Sequence, residues 1–127
     1  MTWLRILFGI FLILHGVVHW VYALPQRQEY EPNSKPWAVF TGRWLVKKAG
    51  VHHRVALRLG VSLLILITLA FIASGVAVLT MNSWWALPAI ASAGISTLFL
   101  ALFWNRWMVQ GVLVNTIIII MALFWTP

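Results

Sequence analysis

Four apolar stretches, none containing Asp or Glu, constrain this chain more than any other feature: about 3–24, 53–80, 84–104 and 107–125. As helices rising 1.5 Å per residue, each extends roughly 28 Å or more, enough to cross the hydrocarbon core of a bilayer. Of the 127 residues, 62% are hydrophobic and only 9% charged. A soluble domain of this length has no interior large enough for so much apolar surface. The sequence therefore predicts an all-α integral membrane protein: a four-transmembrane-helix bundle forming a single domain over 1–127, with one substantial loop at 25–52.

Local signals agree with these limits. Pro25 ends the first segment, Asn82 and Ser83 make the turn after the second, and Pro88 falls in the first turn of the third, where a proline is tolerated. Arg5 before an apolar run has the look of a secretory signal. The run is too long for one, and Trp20 to Pro25 contains no small-x-small cleavage site, so the segment is read as a helix.

Charge sets the expected orientation. Arg27, Lys35, Arg43, Lys47, Lys48, Arg54, Arg58 and Arg106 lie in or beside the first and third connections, and only Arg5 lies on the other side. The positive-inside rule then makes both loops cytoplasmic and both termini extracytoplasmic. Tryptophans fit the same two boundaries, with Trp3, Trp84, Trp85 and Trp125 in one interfacial belt and Trp20, Trp104 and Trp107 in the other.

Within the first loop, Pro36 to Ala49 reads as a short interfacial amphipathic helix, with proline in its first turn and Gly50 at its end. Trp37, Phe40 and Trp44 share one face, Arg43 and Lys47 another. The net charge of +7 is thus read as binding to anionic lipid headgroups through Arg43, Lys47, Lys48 and Arg54, not to nucleic acid.

Polar residues inside the apolar segments mark a candidate site. His15 and His19 stand one helical turn apart, and an ionisable group in hydrocarbon is costly enough to require a role. Counted inward from the cytoplasmic ends, His15, Ser62, Ser96 and Asn115 all fall about eight residues deep, roughly 12 Å. Gly9 and Gly16, Ser92 and Ser96, and Gly111 with Asn115 add small-residue stripes suited to close helix approach. The expected site is a polar pocket of His15, His19, Ser96 and Asn115, with Ser62 at its edge, open to the cytoplasm.

The chemistry open to such a set is narrow. Without cysteine there is no disulfide, thiolate metal site or thiol redox chemistry. With no intramembrane carboxylate, neither a proton-coupled carrier nor a hydrolytic triad has its usual acid. Haem b bound by two of His15, His19 and His53, or a pigment on one histidine, is an alternative. Elimination leads to a noncatalytic protein: an accessory or structural subunit of a larger membrane complex or a homo-oligomer, or a lipid- or quinone-binding protein.

Overall fold

The computed structural model of the chain describes residues 2–23, 44–104 and 108–125. All regular structure among these residues is helical. Helix α1 (Thr2–Val18) tightens into a 3-10 segment over His19–Ala23, and α2 is the single turn Trp44–Lys47. Helix α3 (His53–Leu79) is followed by a 3-10 turn, Ser83–Trp85, that runs into α4 (Ala86–Leu102); α5 covers Val109–Phe124.

Three helices, Trp3–Val21, His53–Leu79 and Ser83–Leu102, are long and apolar enough to cross a membrane. The 16-residue α5 is shorter, about 24 Å. Most of the loop helix expected at Pro36 to Ala49 lies outside the described residues, including Trp37, Phe40 and Arg43; the described part holds one helical turn, with Leu45 buried.

The ends of α3 are set by side chain and backbone. At its start, the His52 side chain accepts a hydrogen bond from the Arg54 N–H at Nδ1, 3.3 Å away, and covers an otherwise unpaired donor. At its end, the Asn82 N–H donates to Ala77 O (2.8 Å) and the Met81 N–H to Val78 O (3.3 Å), with Met81 at φ 59°. This pair of bonds around a left-handed residue is a Schellman closure, with methionine in the place glycine usually takes.

Helix α1 packs on α3, α3 on α4, and α4 on α5. The α1–α3 crossing is close because glycines face it. A Cβ on Gly75 would stand 2.6 Å from the Gly9 carbonyl oxygen, and one on Gly16 2.7 Å from Phe71 Cβ. In the space this leaves, the Thr68 hydroxyl donates to Gly16 O (3.1 Å) and accepts from Trp20 Nε1–H (2.9 Å). Backbone contact and interhelical hydrogen bonding together hold this pair.

At the N-terminal end of α1, Phe8, Trp85 and Trp125 meet edge-to-face, with centroid separations of 5.7 Å (Phe8–Trp85), 5.1 Å (Phe8–Trp125) and 5.9 Å (Trp85–Trp125). The buried Ser74 hydroxyl donates to Trp85 O (2.9 Å). The expected tryptophan belt is therefore divided: Trp3 and Trp84 are exposed, whereas Trp85 is core. An indole beside a turn can face either way, and here the Trp85 ring packs on Phe8 and Trp125 while Ser74 holds its backbone carbonyl.

The outer faces of all four long helices are apolar, with Leu4, Leu14, Leu69, Leu87, Leu113 and Ile117 exposed.

Candidate functional site: a buried ring of polar side chains

His15 and His19, on successive turns of α1, face Ser96 of α4 and Asn115 of α5. His15 Nε2 lies 3.1 Å from Asn115 Oδ1, Asn115 Nδ2 lies 2.8 Å from Ser96 Oγ, Ser96 Oγ lies 2.5 Å from His19 Nε2, and His19 Nδ1 lies 2.7 Å from the His15 carbonyl oxygen. The four contacts form a closed circuit joining three helices. His19, Ser96 and Asn115 are fully buried and His15 is 8% exposed.

One fixed acceptor sets the direction of every bond. A carbonyl oxygen only accepts, so His19 Nδ1 carries the hydrogen. In an uncharged imidazole Nε2 is then the acceptor, and the Ser96 hydroxyl must donate to it. Ser96 Oγ in turn accepts from Asn115 Nδ2–H, which leaves Asn115 Oδ1 to accept from His15 Nε2–H. His19 is thus the Nδ1–H tautomer and His15 the Nε2–H tautomer. No counter-ion is needed, and the chain's two acids, Glu29 and Glu31, lie outside the described residues. Asn115 makes a further bond from Nδ2 to Thr97 Oγ1 (3.3 Å), while the Thr97 hydroxyl donates to Ala93 O (2.8 Å).

The His15 carbonyl thus receives the His19 side chain at the last turn of α1, after which the chain passes to 3-10 at His19. Aromatic rings pack about the site: His15 stacks on Phe11 (5.6 Å, 18°) and meets Phe71 edge-on (5.0 Å, 83°), and His19 stacks on Phe71 (5.8 Å, 29°).

His15, His19, Ser96 and Asn115 are thus brought together, as sought from the sequence, but as a buried cluster and not as the lining of an opening. Ser62 is exposed and makes no part of the ring; Thr68 is the α3 residue opposite Gly16. Counting from the start of α3 misplaces the level because that helix has 27 residues, about 40 Å, longer than a hydrocarbon core is thick.

His53 lies against His52 (ring centroids 4.4 Å apart, tilted by 31°) at the start of α3, fifteen residues and roughly 22 Å of helix from Thr68. It does not join the ring. Both ring Nε2 atoms are hydrogen-bonded, so a haem or metal could take them only by opening the circuit, and the described residues contain no group of three metal-ligating side chains. Lys47, Lys48 and Arg54 are exposed, as headgroup binding would need; Arg43 lies outside the described residues.

Two participants escaped the sequence reading. Thr97 follows Ser96 directly and so sits off its helical stripe. Phe71 is one apolar residue among many and carries no signal of its own.

Fold and site together define a helical protein with several apolar helices that could span a membrane, pinned internally by a polar ring. No protein-family model, curated protein or solved structure matches the chain.

Proposed function

We propose that this is a small noncatalytic integral membrane protein, an accessory or quinone- or lipid-binding component. In this reading it crosses the bilayer four times, with both termini extracytoplasmic and the first and third loops cytoplasmic. The observation that carries the proposal is the closed ring. Asn115 and Ser96 lie between the two histidines, and a side-chain amide relays protons poorly. The fixed carbonyl acceptor further locks the circuit in one direction. Such a ring holds three helices in register and is poorly suited to proton conduction or nucleophilic attack. Lipid-facing Leu and Ile on every long helix support membrane residence, alone or beside partner helices.

The absorption spectrum of protein purified gently from membranes, before and after dithionite, tests the reading against a haem or pigment carrier. The expected result is no visible band. A Soret band that shifts on reduction would overturn the proposal and make His15 and His19 ligands.

A further inference from the structure

Arg5 is the one Lys or Arg that stands away from the basic loops. It closes the first turn of α1, a turn without an acid. Its Nε is the only buried side-chain N or O atom without a hydrogen-bond partner among the described residues. No side-chain hydrogen bond or ion pair joins Arg5 to any other of these residues. The chain's two acids, Glu29 and Glu31, follow the other end of the first apolar segment. A guanidinium at the edge of hydrocarbon is costly unless an anion meets it.

The register of α1 on α3 shows why the fold supplies none. Gly16 faces Phe71 and Thr68, and Gly9 faces Gly75 and Leu79, so one further turn sets Arg5 level with the end of α3. A basic side chain near a helix end commonly hydrogen-bonds the last carbonyls. Here the carbonyls of Val76, Ala77 and Val78 accept from the backbone N–H groups of Thr80, Asn82 and Met81 instead. The negative end of α3 and the positive end of α1 carry about half a charge each. They offset one another and leave the guanidinium uncompensated.

We propose that Arg5 binds the phosphate of an anionic phospholipid in the extracytoplasmic leaflet. This rests on the membrane reading and orientation above. Depth and charge select the class. Trp3, two residues from Arg5, and Trp84, in the 3-10 turn before α4, are both exposed, and exposed indoles belong at headgroup level. Arg5 is half-buried; with Nε enclosed, what the side chain offers a ligand is its Nη pair, a planar fork matched to two phosphate oxygens. A phosphatidylglycerol headgroup brings one negative charge and neutralises Arg5. A choline headgroup brings a second cation to a place without an acid.

The test is thermal unfolding of the full chain and of Arg5→Gln in phosphatidylcholine nanodiscs, with and without phosphatidylglycerol. In phosphatidylcholine alone Arg5→Gln should melt at or above the wild-type temperature, because it removes an unpaired cation. Phosphatidylglycerol should raise the wild type by roughly 5 °C more than Arg5→Gln, the worth of one charge-assisted hydrogen bond in a chain of this size. The basic loops are common to both proteins and cancel in the comparison. An equal gain in the two overturns the site. So does an equal loss by Arg5→Gln in both kinds of disc, which would make Arg5 a packing residue.

Two further arms fix the source and the geometry. Inorganic phosphate added to phosphatidylcholine discs should not reproduce the gain; if it does, the anion is soluble and the lipid is refuted. Arg5→Lys keeps the charge without the fork and should recover less than half of the gain, and full recovery overturns the fork. A chain that does not enter nanodiscs refutes the membrane reading, whereas entry with no difference between wild type and Arg5→Gln refutes this site alone.

Discussion

Asn115 is the residue on which the site turns, because its amide both accepts from His15 and donates to Ser96 and Thr97. Asn115→Ala should strand the His15 donor in an apolar setting and lower stability by roughly 1–3 kcal/mol, read as a lower melting temperature in detergent. Ser62→Ala, on the exposed face of α3, should leave it unchanged. If both variants melt like wild type, the ring contributes nothing to the fold. These residues were visible in the sequence for one reason: His and Asn in an apolar helix stand out against hydrocarbon. Neither the tautomers nor the part of Phe71 could be read there, since both follow from which atoms of distant helices meet.

At the scale of the elements, glycines divide into those that permit contact and those that do not. A Cβ on Gly75 would meet the Gly9 carbonyl oxygen and Ile13 Cγ1, each at 2.6 Å, whereas one on Gly94 meets nothing within 4 Å. Gly75→Ala should force α1 and α3 apart and cost about 1–3 kcal/mol. Gly94→Ala should be neutral or stabilising by up to about 1 kcal/mol through helix propensity. The pair can be compared by thermal unfolding monitored by circular dichroism; equal effects would mean that the crossing is not close. Met81 offers a gain, since an L side chain at φ 59° is disfavoured by about 1–2 kcal/mol. Met81→Gly should raise the melting temperature, because the side chain is 72% exposed and little packing would be lost. The extents of α3 and α4 and the turn between them were legible from apolar runs and from Asn82 and Pro88. The 3-10 stretch over His19–Ala23 was not, because it contains neither a proline nor a glycine to mark the change.

For the molecule as a whole, orientation is the first property to establish. A reporter fused after Pro127 should behave as extracytoplasmic and one inserted in the loop at 25–52 as cytoplasmic; the reverse pattern would invert the topology argued from Arg and Lys. What the sequence determined by itself is what the solvent enforces residue by residue. Long acid-free apolar runs need hydrocarbon, and their backbone satisfies itself only as helix. Which helix lies beside which, and at what register, was decided by tertiary structure alone. Counting inward from the segment ends set Ser62 level with His15, but α3, about 40 Å long, exceeds the thickness of a hydrocarbon core, and the fit of Gly9, Gly16 and Gly75 sets it where Thr68 meets Gly16. Depth in a membrane follows from the lengths of separate segments, whereas register follows from the few small and polar side chains that let two backbones touch.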